Sequence, residues 1–287
     1  MNRCREKSVE LFFFLAAVFG GLVTICIFAF LLVLGLPLFA EGHLWPLLTR
    51  PWAPHLQQYG IAPMIVGTLA ISLLTMVFAF PLSLGCAVVI HVTGRGLIAR
   101  LLRKIVELMT GIPTVIYGFV GIFLLVPLVR EISDVGSGMC VLSAALLLTL
   151  LVSPTMILFF ADSFDRVPRS YGQAVLAVGG TDIQRFLYVT LPACRSAILV
   201  GAILALGRAL GDTLIALMIA GNAVQMPSSI LDSARNLTAH IALVFAADYN
   251  SLEFKAVFAC GLFLYLCTTM LVVAIRLLSR RRGGGGW

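Results

Sequence analysis

Arg208 and Asp212 stand four residues apart in an otherwise uncharged stretch from about residue 196 to 220. On one helix that spacing puts both side chains on the same face. A charge inside a bilayer costs about 2.5–3.5 kcal/mol on insertion scales, so the pair should face a bundle interior or water rather than lipid. Two kinds of work suit it. The charges could neutralise each other as a structural pair. Alternatively they could line a path for an anion, with the planar guanidinium of Arg208 offering a fork to an oxyanion and Asp212 orienting it. Gly201, Gly207 and Gly211 beside the pair permit close helix approach or exposed backbone.

Other chemistries are poorly supplied. His43, His55, His91 and His240 form no H-E-x-x-H, and Asp212 is the only carboxylate at mid-span, so an aspartyl dyad cannot be assembled. A Walker A loop requires G-x-x-x-x-G-K-[ST], yet the only Lys followed by Ser or Thr is Lys7-Ser8, with no glycine before it. The chain should not hydrolyse ATP alone, and no catalytic residue, cofactor or metal is expected. Its 7 cysteines are scattered without metal-ligand spacing and read as small packing residues.

The elements that must position Arg208 and Asp212 follow from composition. Of 287 residues, 60% are hydrophobic and 11% charged, with a mean hydropathy of +1.05. A soluble domain carries roughly 25% charge. A helix crossing about 30 Å of hydrocarbon needs about 20 apolar residues. Uncharged runs at 11–36, 63–90, 108–129, 139–161 and 256–275 meet that length, and the stretch at 196–220 is the remaining one. The runs are continuous, whereas a β-barrel would show short alternating segments. The expected fold is all-α, a polytopic membrane protein of six transmembrane helices. The first run is too long for a cleaved signal peptide and reads as a retained helix.

Basic residues orient such a bundle, because Lys and Arg are held on the cytoplasmic side. Fifteen of the 20 fall in the N-terminus, the second and fourth connections and the tail, while Arg50, Arg130, Arg235 and Lys255 fall in the others. Both termini are therefore expected in the cytoplasm of a bacterial inner membrane, with a cytoplasmic N-terminus at 1–10, the permease domain at 11–278 and a basic, glycine-rich tail at 279–287. The Asn236-Leu237-Thr238 sequon then lies outside, where a bacterial setting would leave it unused. Near the third run, Arg103 and Lys104 precede Glu107 by about one turn, as in an interfacial salt bridge.

The fourth connection, at 162–192, is too apolar and too regular for a plain loop. Pro168 suits the first turn of a short helix reaching Val178, and Gly179-Gly180 supplies a left-handed stop. Thr181 and Gln184 form a capping box for a second helix, ended by Leu191-Pro192. Periodicity alone allows an amphipathic pair lying on the membrane. Spacing adds a sharper reading. Gln173-Ala174-Val175, Gly179 and Val189-Thr190-Leu191-Pro192 resemble the EAA loop of ABC-importer permeases, E-A-A-x3-G-x9-I-x-L-P, with Gln173, Val175 and Val189 as departures.

Two further segments are similar to phosphate-importer permeases of the PstC type. One is Gly207-Arg208-Ala209-Leu210-Gly211-Asp212-Thr213 with Gly221-Asn222; the other runs from Gly111-Ile112-Pro113 through Tyr117-Gly118-Phe119 to Val126-Pro127. Asp212 stands where that family usually has Glu. The resemblance implies a type I ABC-importer permease with an EAA-type coupling helix. It would form half of a phosphate path at Arg208, Asp212, Thr213 and Asn222, and couple to ATPases through Tyr171, Gly172, Gln173, Ala174, Gly179, Leu191 and Pro192. The implied partners are two ATP-binding subunits, a second homologous PstA-like permease and a periplasmic or extracellular phosphate-binding protein, which would meet the outer connections at 37–62 and 221–255. Membrane lipid surrounds the bundle, and nucleic acid has no role. Tungstate, molybdate or sulfate are alternative cargoes. A secondary anion transporter would need no EAA-like loop, and a purely scaffolding subunit would tolerate loss of Arg208.

Overall fold

The computed structural model describes residues 2–40, 44–93, 96–133, 136–244 and 251–280. Arg95, positions 41–43 and 245–250 of the outer connections, and the 281–287 end of the tail lie outside the described residues. In chain order the elements are α1 (Asn2–Ala40), α2 (Leu44–Thr49), and a two-stranded hairpin of β1 (Trp52–Ala53) and β2 (Gln58–Tyr59). Then follow α3 (Ala62–Thr93), α4 (Leu97–Thr110), α5 (Thr114–Val120), α6 (Val126–Ser133), α7 (Val141–Asp165), α8 (Arg169–Ala177) and α9 (Asp182–Arg185). The chain continues with α10 (Leu191–Leu210), α11 (Leu214–Ile219), α12 (Leu237–Val244) and α13 (Leu252–Arg280).

Among the described residues, 6 helical stretches are long and apolar enough to cross a membrane: Lys7–Gly35, Ala62–Val92, Thr114–Ser133, Val141–Asp165, Asp182–Leu210 and Glu253–Ile275. Two of them depart from the apolar runs. The third begins at Thr114 rather than at 108, because Pro113 has no N–H and holds an extended ψ of 140°, which separates α4 from α5. The fifth begins earlier and stops earlier. Leu191-Pro192, expected to end the second loop helix, instead lies inside a continuous stretch. A widened π turn at Phe186–Thr190, closed by the Leu191 N–H on the Phe186 carbonyl, leads α9 into α10 with Pro192 in the first turn, where a missing N–H costs little. At the other end the helix stops at Leu210.

The core is built around α7, which is buried over most of its length. Small residues let α3 approach it closely, and hydroxyls cross the interface. Thr75 Oγ1 donates to the Ala145 carbonyl at 3.4 Å, Thr149 Oγ1 to the Thr75 carbonyl at 3.3 Å, and Ser83 Oγ to the Ser153 carbonyl at 3.4 Å. In lipid such bonds hold helices together where hydrophobic burial cannot, at about 0.6 kcal/mol each. α10 lies on the same helix: a Cβ at Gly201 would come within 2.7 Å of the Phe159 ring and 2.8 Å of the Phe160 ring. A second cluster, with Trp52, Ile61, Met64, Leu237 and Cys260, gathers the hairpin, α12 and α13. α1 packs along α13 through Phe28 on Tyr265 at 4.8 Å and Phe30 on Phe258 at 5.6 Å.

Candidate translocation and coupling site

The break between α10 and α11 positions the sequence-predicted path residues. Because the helix ends at Leu210, Arg208 and Asp212 do not share one helical face, and no ion pair within 4.0 Å joins them among the described residues. Asp212 serves the backbone instead: its Oδ2 accepts the Ile215 N–H at 2.9 Å, satisfying one of the free donors at the start of α11. Thr213 follows it at the head of that helix. Arg208, exposed in the last turn of α10, lines a half-open and mostly apolar cavity of about 230 Å³ together with Thr155, Met156, Phe159 and Leu204. Among the described residues no carboxylate lies within 4.0 Å of this five-donor guanidinium, whose charge still acts on Asp212. Of the nearby glycines only Gly201 is at a close approach; no atom lies within 4 Å of a Cβ at Gly207.

Asn222 stands at the far end of α11 and does structural work. With Gly221 at φ +85° and Asn222 at φ +56° the chain makes a left-handed turn, and Asn222 Nδ2 donates to the Leu217 carbonyl at 2.6 Å. Arg235 Nε donates to the Asn222 carbonyl at 3.0 Å. Six residues of α11 at about 1.5 Å each separate it from the Arg208 end by roughly 9 Å, so Asn222 stands at the opposite end of α11 from Arg208, Asp212 and Thr213.

The residues that hold the break are ones that sequence reasoning missed. Asn236, 3% exposed, donates from Nδ2 to the Asp212 carbonyl at 2.9 Å and accepts the Ala239 N–H on Oδ1 at 2.8 Å. Thr238 Oγ1 donates to the same carbonyl at 2.7 Å, and the Leu237 N–H reaches Thr68 Oγ1 on α3 at 2.9 Å. The apparent sequon is therefore a clamp. Its signal was an Asn two residues before a Thr at the head of an apolar helix, which is also a capping pattern. Replacing Asn236 with alanine should destabilise the protein by about 1–3 kcal/mol, since buried backbone groups lose their partner. A lowered thermal midpoint in detergent checks this, and an unchanged midpoint contradicts it.

The loop after α7 has the Gly179 stop and the Thr181–Gln184 capping box that its sequence predicts. Pro168 precedes α8, and Gly179 takes φ +81°. Its N–H reaches the Leu176 carbonyl at 3.0 Å while the Gly180 N–H reaches Val175 at 2.9 Å, the two bonds of a Schellman stop. The capping box is formed: the Thr181 N–H donates to Gln184 Oε1 at 2.8 Å and the Gln184 N–H to Thr181 Oγ1 at 3.3 Å. Gly172 of α8 lies against the Arg185 side chain, which pairs with Asp182 at 3.3 Å. Tyr171, Gln173, Ala174, Val178 and Ile183 are left exposed, as is Pro192, while Leu191 packs against the main core. Phe186 at the base of the loop is buried against Phe164 at 5.2 Å and His91 at 6.1 Å. Arg103 pairs with Glu107 at 3.2 Å, as expected, and also with Asp162 at 3.0 Å.

A bundle of six apolar helices, a broken fifth helix and an exposed two-helix loop narrow the protein's relatives sharply. Residues 79–284 match the family of binding-protein-dependent transport system inner membrane components. The chain belongs to that family. The permease is 31% identical over 226 residues to the probable ABC transporter permease protein YqgH of Bacillus subtilis, covering 78% of this chain and 73% of that one. It is 29% identical over 262 residues to the phosphate transport system permease protein PstC of Pasteurella multocida, covering 85% and 81% respectively. A chain of the bacterial alginate ABC transporter, solved with its alginate pentasaccharide-bound periplasmic protein, superposes with a TM-score of 0.65 at 15% identity, covering 95% of each chain. The permease therefore has the six-helix ABC-importer fold.

Proposed function

We propose that this chain is the transmembrane permease subunit of an ATP-binding-cassette importer for inorganic phosphate. The phosphate reading rests on the similarity to PstC over most of the chain and on the three quoted motifs. The observation that carries the transport role is Arg208, an exposed guanidinium in no ion pair among the described residues, at the end of a broken helix and lining a cavity. The C-terminal end of α10 stabilises the cation through the helix dipole. Asp212 accepts the Ile215 N–H and makes no ion pair with Arg208 among the described residues, though the two charges still act on each other.

In this reading Arg208, Asp212 and Thr213 form one half of the path, and Asn222 keeps α11 in register. A second homologous, PstA-like permease supplies the other half. A phosphate-binding protein delivers the anion to the outer connections. Two ATP-binding subunits seat on the loop from Tyr171 to Gly179, closing on ATP and driving the bundle outward-facing, with hydrolysis resetting it. The basic end of the bundle, with Arg100, Arg103, Lys104, Arg166 and Arg185, faces the cytoplasm together with both termini. The division at 10 and 278 then marks where the chain leaves the inner membrane.

Vesicles reconstituted with this chain, its partner permease, the ATPase and the binding protein should take up radiolabelled phosphate only with ATP inside the compartment that the loop faces. Tungstate, molybdate or sulfate displacing phosphate at equal concentration would reassign the cargo, and uptake without nucleotide would overturn the coupling. Changing Gly179 to valine should separate loop shape from path chemistry. A β-branched residue at φ +81° costs about 1–2 kcal/mol, although the space around a Cβ there is open. ATPase retention in a pull-down is expected to fall several-fold with membrane insertion unchanged; full retention counts against the loop as docking element.

A further inference from the structure

The helix α4 presents three faces. Ala99 and Val106 point into the bundle and are buried. Arg103 fastens that side, pairing across to Asp162 at 3.0 Å and Asp165 at 3.6 Å on α7. A second face carries Leu97, Leu101, Ile105 and Leu108, spaced by four, four and three residues, with Ile98 beside them. All five are exposed, Leu97 by 75% and Leu108 by 73%. Between that stripe and the Glu107 side lie Arg100 and Lys104, one turn apart and exposed, neither in an ion pair among the described residues. The helix sits between the end of α3 at Thr93 and the start of the crossing stretch at Thr114.

We propose that α4 is a membrane-surface helix whose Arg100 and Lys104 bind the phosphate groups of anionic phospholipid while its leucine stripe enters the acyl boundary. An apolar stripe beside two unpaired cations calls for an occupant that is hydrophobic and anionic at adjoining depths, and a lipid leaflet supplies both in that order. A folded protein partner would have to place a carboxylate rim along the same edge. The pin from Arg103 to α7 makes lipid binding mechanically relevant, because α7 is the central helix and carries Asp162 and Asp165 at its end.

Hydrogen exchange on the full chain in nanodiscs tests this without substrate or ATPase, so its failure would leave the transport reading untouched. Amides at 97–110 should exchange about tenfold more slowly in phosphatidylcholine with phosphatidylglycerol than in phosphatidylcholine alone. Arg100→Gln with Lys104→Gln should erase that difference, Arg100→Lys with Lys104→Arg should keep it, and Arg166→Gln should leave it intact. Equal exchange in the two lipids overturns the proposal. So does slowing produced by inorganic phosphate in neutral lipid, which would mark a free-anion site, or slowing only after partner subunits are added, which would mark a protein interface.

Discussion

Arg208→Gln is expected to reduce phosphate uptake roughly 10- to 150-fold while the protein inserts and assembles normally and the ATP-binding subunits still hydrolyse ATP. The magnitude follows from losing a charged hydrogen bond to the anion, about 1.5–3 kcal/mol, at a factor of ten for each 1.4 kcal/mol. Normal assembly follows because the guanidinium is exposed and holds no carboxylate, so the fold does not depend on it. Arg208→Lys should restore part of the flux, since a point charge replaces the fork but not its geometry. Uptake equal to that of the unaltered protein would remove Arg208 from the path and leave the scaffold reading in its place.

Acidification should destabilise the protein through His240. Its ring is fully buried, edge-on to Trp52 at 4.3 Å, with Nδ1 facing an Arg235 guanidinium nitrogen at 3.5 Å and Nε2 unpartnered. Burial pushes its pKa down from 6.5 to about 4, and the Arg235 charge pushes the same way. Protons then bind the unfolded chain more readily than the folded one. The stability is whole above about pH 6.5 and is lost as pH falls toward about 4, on the order of 3 kcal/mol in all. Thermal midpoints in detergent across that window should fall steeply for the unaltered protein and flatten in His240→Gln; parallel slopes would exclude the residue. Asp232 acts in a more acidic window. Hydrogen bonds from Ser228 and Ser229 hold its carboxyl below the usual carboxylate range, so its contribution persists above about pH 3.9 and fades only below.

What could be read from the chain divides along a physical line. The six crossing helices were legible because lipid leaves a helix no other way to satisfy its backbone, and length alone then identifies them. The coupling loop was legible because each stop is local: Gly179 needs positive φ, and Thr181 with Gln184 satisfies its own donors. The proposed path residues stand out in the sequence by type, and their geometry does not follow from it. Reading Arg208 and Asp212 as i and i+4 assumes a helix between them, and Gly211 ends it, a choice settled by Asn236 and Thr238 from 24 and 26 residues away. Pro192 misled in the opposite sense, since a single π turn lets a helix begin again without bending away. Only the last turn of α4, from Leu108, was counted into the third run, because hydropathy rises there, whereas the backbone breaks at Pro113.

The uninterrupted stretch from Asp182 to Leu210 has 29 residues, about 43 Å at 1.5 Å each, with the two-helix loop at one tip and Arg208 at the other. Gly201, wedged on two phenylalanine rings part-way along, gives this rod a fulcrum. Under the proposed seating of ATP-binding subunits on the loop, a push there would return as an opposite swing at the Arg208 end, with no further hinge needed between them.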